Sequence, residues 1–146
     1  MWWNKKRFYV FLIVAIILVS WIVYSVSQPP NWRGVSEDGT WETDFKHDVT
    51  SPKGFWNGTI YWDGDAPMTL VRVQLTKNDT LIHEWDGNEV IDNEHPFDYL
   101  TTTETFDNKE DEYVLKVYWE EQEAKGEDTI VLLPKTKYVV LPNFLN

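Results

Sequence analysis

The chain has 146 residues, no cysteine, and 24 Asp and Glu against 13 Lys and Arg. That length suits one domain of ordinary size. The missing cysteine excludes disulfides, thiolate metal sites, a thiol nucleophile and the lipid-modified cysteine of a lipoprotein, while the acidity speaks against polyanionic partners such as nucleic acid.

The first element is apolar. From Phe8 to Val26 only Ser20 and Ser25 are polar, a run of about nineteen residues, enough at about 1.5 Å per residue to cross a bilayer's hydrocarbon. Lys5, Lys6 and Arg7 stand directly before it, and only Arg33 follows before Lys46. The positive-inside rule then places the N-terminus in the cytoplasm and the rest outside the cell membrane. Trp2, Trp3, Trp21 and Tyr24, toward the ends of the run, read as interfacial anchors. A cleaved signal peptide is the competing expectation, with Ser25 and Ser27 as the small residues near a cut, but the run exceeds the roughly 7–15 residues of a signal core. The expected organisation is a cytoplasmic tail (1–7), a single transmembrane helix (8–26), a linker stiffened by Pro29 and Pro30 (27–39) and an extracytoplasmic domain (40–146). Ten of the 13 bases then face all 24 acids beyond the helix, a formal charge of −14 there. The many aromatic and β-branched residues set that part apart from a disordered acidic chain.

Beyond residue 39 apolar residues recur with period two. Trp41, Thr43 and Phe45 alternate with Glu42, Asp44 and Lys46, the pattern of a strand with one buried face. Further strands are expected over 55–62, 68–76, 80–85, 97–106, 113–120, 129–133 and 138–141. Val71, Val73 and Leu75 should face the core in one of them, and Tyr113, Leu115, Val117 and Trp119 in another. Turn residues at 63–67, 77–79, 86–88, 107–109 and 125–127 separate the runs, with Asn78-Asp79 as a hairpin tip. No repeat or low-complexity segment is expected. Seven or eight such strands predict an all-β domain, an immunoglobulin-like β-sandwich of antiparallel strands behind one N-terminal transmembrane helix, with a small open barrel as the alternative.

Two stretches carry a family resemblance. Trp32-Arg33-Gly34-Val35-Ser36-Glu37-Asp38-Gly39-Thr40-Trp41 resembles the Gly-x-Ser-x-x-Trp opening of small membrane-anchored surface proteins of Bacillus and its relatives. Trp56-Asn57-Gly58-Thr59-Ile60-Tyr61-Trp62-Asp63-Gly64 resembles the glycine and tyrosine strand and turn that often follows it. Here Gly39 and Thr40 stand as an insertion before the tryptophan, and no lipobox cysteine is present. The resemblance implies a membrane-anchored β-sandwich without catalytic activity, and it carries over no functional residue.

Candidate chemistry is sparse. His47, His83 and His95 form no spaced ligand set, and Ser36 and Ser51 are serine nucleophiles only by elimination. The runs Glu110-Asp111-Glu112, Glu120-Glu121 and Asp92-Asn93-Glu94 read as solvated charge. Asp63-Gly64-Asp65 and Asp86-Gly87-Asn88-Glu89 offer oxygens of the kind calcium takes, without the EF-hand spacing, and turn chemistry accounts for both. No catalytic residue, metal ligand or cofactor is therefore assigned. The exception in character is the strand over 55–62, whose two faces are both aromatic. Phe55 and Tyr61 point to one side and Trp56, Ile60 and Trp62 to the other, so Phe55, Trp56, Tyr61 and Trp62 form a possible binding surface unless a neighbouring loop such as 97–106 covers them.

The functional expectation is a membrane-anchored, extracytoplasmic, non-catalytic interaction or accessory module. Its partners would be the membrane itself, an envelope protein or a cell-wall glycan stacked on exposed aromatics. An envelope hydrolase with paired carboxylates is the third reading. These readings part on whether an open groove lies beside the 55–62 strand.

Overall fold

A computed structural model describes residues 2–48, 50 and 54–136. The described residues divide into two units, one holding residues 2–29 and the other Pro30–Lys135. In the first, α1 spans Trp2–Ser27. Its 26 residues rise about 39 Å, and Asn4–Ser27 is long and apolar enough to cross a membrane. Phe8, Val10, Phe11 and Ile13, which point to different sides, are all more than half exposed, so the helix is apolar around its circumference instead of along one stripe. The same length and composition suit a signal sequence. The short tail expected over 1–7 is already helical from Trp2.

The second unit holds eight strands: β1 (Asn31–Val35), β2 (Trp41–His47), β3 (Trp56–Trp62), β4 (Met68–Lys77), β5 (Thr80–Ile91), β6 (Phe97–Thr102), β7 (Tyr113–Glu121) and β8 (Ala124–Lys135). All pairings are antiparallel, in the order β5-β4-β7-β8-β1-β2-β3-β6. β8 makes the sheet continuous. It pairs with β7 over Ala124–Leu132 and with β1 over Leu133–Lys135, carrying the chain from one layer to the other. At the opposite side β5 and β6 approach without a ladder, joined by side chains. His83 Nε2 lies 2.8 Å from the Tyr99 carbonyl oxygen, and the rings of Trp85 and Phe97 are 4.6 Å apart. The antiparallel strand content agrees with expectation; the eight strands form one continuous, nearly barrel-shaped sheet, where two immunoglobulin-like layers are expected from the sequence and a small open barrel is the alternative.

Three boundaries differ from the sequence reading. The segment expected as a linker contains β1, which sits in mid-sheet with Trp32 fully buried; the two prolines mark only its start. The turn expected at 125–127 lies instead at Gln122 and Glu123, where Gln122 takes a φ of 55°, and Gly126 belongs to β8. The turn expected at 86–88 is strand, because β5 bends opposite a bulge between Leu70 and Arg72 and needs no break. The hairpin at Asn78-Asp79 is present, both residues left-handed at φ 48° and 65°, as a two-residue turn matching strand twist requires. The strand expected over 138–141 lies outside the described residues, as does Ser51.

Alternation places the core. Trp32, Trp41, Phe45, Trp56, Ile60, Leu70, Val73, Leu75, Tyr113, Leu115, Val117 and Ile130 are buried inside the barrel. Phe106, from the loop after β6, packs edge-on against Phe45 at 4.6 Å and against Trp56 and Tyr113 at 5.5 Å. The Trp32 indole donates to the Phe106 carbonyl at 3.0 Å, so the loop is held by both an aromatic cluster and a buried hydrogen bond.

Candidate functional site

The resemblance-bearing stretch from Trp32 to Trp41 proves to be turn and core chemistry. Asp38 Oδ1 accepts from Ser36 Oγ at 2.6 Å, Thr40 Oγ1 at 2.8 Å and Thr40 N at 3.1 Å. Ser36 Oγ in turn accepts from Trp41 N at 3.0 Å, and Gly39 supplies a φ of 78°. The Ser36 hydroxyl, followed by the Thr40 donors, holds the Asp38 carboxyl below the usual carboxylate range. Ser36 is thereby committed to a turn, its hydroxyl both donating and accepting there. The histidines are equally dispersed: His47 packs against Trp56 with ring centroids 5.4 Å apart, His83 bridges the seam, and His95 Nδ1 lies 2.8 Å from Asp92 Oδ1. Among the described residues no three acidic or imidazole groups converge as metal ligands do. Asp86, from one of the two oxygen-rich stretches, is paired with Arg72.

The aromatic surface expected on β3 is only partly a surface. Trp56 is 1% exposed and belongs to the core, covered by Phe106, because its position faces inward with Gly58 and Ile60. Trp62, at the end of that inward row, is half-buried against Trp41 at 4.7 Å and donates its indole N–H to the Ala66 carbonyl at 2.8 Å. Phe55 precedes the strand, partly buried. Tyr61 points outward.

Around Tyr61 the outer face of β1, β2 and β3 forms an open groove of about 420 Å³, lined by Arg33, Gly39, Glu42, Asp44, Tyr61, Trp62, Asp63 and Asn93. Register builds it, since Glu42 lies opposite both Val35 and Tyr61, and Asp44 opposite Arg33 and Thr59. Asn93 arrives from the β5–β6 loop. That loop is pinned by Asp92 Oδ1, which accepts from the backbone N–H of Glu94 at 2.9 Å and of His95 at 2.8 Å. Tyr61 donates to Asp44 Oδ2 at 3.3 Å, and Lys46 Nζ lies 3.4 Å from the same oxygen. Arg33 is ion-paired with Glu42. Burial, then the Asp44 charge, raises the Tyr61 phenol above its ordinary value, keeping it a neutral donor. The groove thus offers the Tyr61 and Trp62 rings, several planar acceptors and an amide, an arrangement suited to hydrogen-bonding a polar ligand against a ring face. Of the four residues proposed from sequence it joins Tyr61 and Trp62 and leaves out Phe55 and Trp56. Arg33, Glu42, Asp44, Asp63 and Asn93 carried no local signal, since strand pairing and a distant loop bring them together.

No family model matches the chain, and no solved structure matches it. A protein of Bacillus subtilis (strain 168), described as the uncharacterized protein YdhH, is 27% identical over 88 residues. The match covers 58% of this chain and 50% of that protein, so the chain spans about half the length of the relative it resembles.

Proposed function

We propose that the protein is a single-pass, membrane-tethered and non-catalytic interaction module, its β-domain outside the cell and the Tyr61 groove its contact surface. The observation that carries this reading is the open groove beside β3, rimmed by carboxylates already engaged by Arg33, Tyr61 and Lys46. Lys5, Lys6 and Arg7, in α1 ahead of its apolar run, support an inward N-terminus. An accessory domain needs a stable, solvent-facing recognition surface, and these pairs hold Glu42 and Asp44 in place on one. The test is a photo-crosslinker at Tyr61 in intact cells. The expected result is an adduct with a distinct envelope component, and recovery of the chain crosslinked only to itself overturns the reading.

A second reading, recognition of cell-wall glycan, is favoured by one feature: the Tyr61 ring stands among Glu42, Asp63 and Asn93, groups that pair with sugar hydroxyls. Retention of the full chain on purified peptidoglycan, lost in Tyr61→Ala, is its expected outcome, and no retention ends it. The hydrolase reading draws least support, since Glu42 and Asp44 in the groove are each held by a base.

A further inference from the structure

The dipeptide on which the Tyr61 groove is built occurs twice. Ile60-Tyr61-Trp62-Asp63 in β3 is matched in β7 by Val117-Tyr118-Trp119-Glu120, a likeness of four residues. In both, the first residue is fully buried, the tyrosine turns outward and the indole lies half-buried over a glycine. A Cβ on Gly64 would stand 2.1 Å from the Trp62 ring, and one on Gly126 2.1 Å from the Trp119 ring, so each indole rests flat on bare backbone. Trp119 is locked further by its N–H, donated to Asp128 Oδ2 at 2.8 Å.

We propose that the depression beside Tyr118 is a second binding site, for a carboxylate-bearing sugar. It has about 240 Å³, lined by Val71, Arg72, Tyr118, Trp119, Glu120, Lys125 and Gly126. Its lining holds two bases and one acid, where that of the first groove holds one base and three acids. The bulge beside Leu70 turns Val71 into the lining. The Arg72 guanidinium stands 5.8 Å from the Tyr118 ring centroid, and the Tyr118 hydroxyl donates to Gln74 Oε1 at 3.2 Å, fixing the ring along the sheet. Both bases are paired, Arg72 with Asp86 and Lys125 with Glu120, yet these are exposed pairs of small net value that a ligand anion can exchange. A fixed aromatic face beside two exchangeable cations accepts a ring that carries a negative charge, with little ordering cost in the site.

The test is an indole N–H titration of the full chain in detergent micelles with tetragalacturonate, using neutral maltotetraose and inorganic phosphate at matched ionic strength as comparison probes. Tetragalacturonate should move the Trp119 signal saturably, and Arg72→Ala and Tyr118→Ala should each weaken binding at least tenfold without shifting the thermal midpoint by more than a few degrees. Added salt should weaken it as well. A silent Trp119 signal overturns the proposal. So does an equal response to maltotetraose, which dispenses with the charge, or to phosphate, which dispenses with the sugar. The outcome is independent of the Tyr61 groove, whose Trp62 signal is read in the same spectra.

Discussion

His83 Nε2 and the carbonyl oxygen of Tyr99 lie 2.8 Å apart and span the one place where neighbouring strands of the barrel share no ladder. The contact does for β5 and β6 what backbone pairs do elsewhere, and the rings of Trp85 and Phe97, tilted at 53° to each other, complete the closure. Removing the imidazole leaves a part-buried carbonyl without its partner. His83→Ala should therefore cost about 1–2 kcal/mol and expose the backbone of β6 first. Urea unfolding gives the first quantity, and hydrogen exchange at residues 97–102 gives the second. Unchanged protection there would show that the ring pair alone closes the seam.

Acid should act on the turns before the core. Asp38, Asp92 and Asp111 all have carboxyls held below the usual range. The chief causes are the Ser36 hydroxyl, His95 and Lys77 respectively. A depressed folded value means that the contribution is fully present above the unfolded value, near 3.8 for Asp38, and is lost as pH falls through the folded value. Solvent screening keeps each effect small. The expected result is a urea midpoint that is flat from neutral pH to about pH 4 and falls below it. Asp38→Ala should lower the midpoint at neutral pH, with the gap narrowing at about pH 3 as the wild-type carboxyl protonates.

Trp32 tests the placement of β1. Fully buried, in edge contact with Tyr113 at 4.5 Å and bonded to the Phe106 carbonyl, it ties the first strand to the loop that plugs the aromatic cluster. Trp32→Ala should cost about 3–5 kcal/mol, enough to abolish cooperative unfolding in a domain of ordinary stability. Trp32→Phe keeps most of the packing but leaves the Phe106 carbonyl unpaired, and should cost about 1–3 kcal/mol. Thermal melts of the two variants check the order. A linker tryptophan would leave both melts unmoved.

What was legible in the sequence divides along the range of the interactions. Alternation revealed β2, β4 and β7, because one buried face imposes period two on residues that are neighbours in the chain, but in β4 the bulge puts Leu70 in the core where alternation predicts Val71. The Asn78-Asp79 turn was readable because left-handed backbone at two adjacent positions selects those residues. β1 was hidden by its brevity and by the prolines before it, since five residues hold too few alternations to outweigh a breaker. Gly126 looked like a turn glycine but serves as the floor under Trp119, a requirement set by a residue seven positions away on another strand. The groove was unreadable for the same reason: Arg33, Glu42, Tyr61 and Asn93 meet only once β1, β2 and β3 are in register and Asp92 has bent its loop.

The two aromatics at either end of β3 should separate cleanly in experiment. Trp56 is an interior side chain touching Phe45, His47 and Phe106, so Trp56→Ala creates a cavity at the aromatic cluster and should cost about 3–5 kcal/mol. Tyr61 is on the outer face and its hydroxyl makes one long bond to Asp44, so Tyr61→Phe should stay within about 1 kcal/mol of the parent. If the β3 surface recognises a ligand, binding follows Tyr61 and not the fold: Tyr61→Ala loses retention while melting near the parent, whereas Trp56→Ala loses both together. Melting curves and peptidoglycan retention on the same preparations decide it. A Trp56→Ala variant that melts normally but no longer binds would return Trp56 to the surface and overturn the inward assignment of its row.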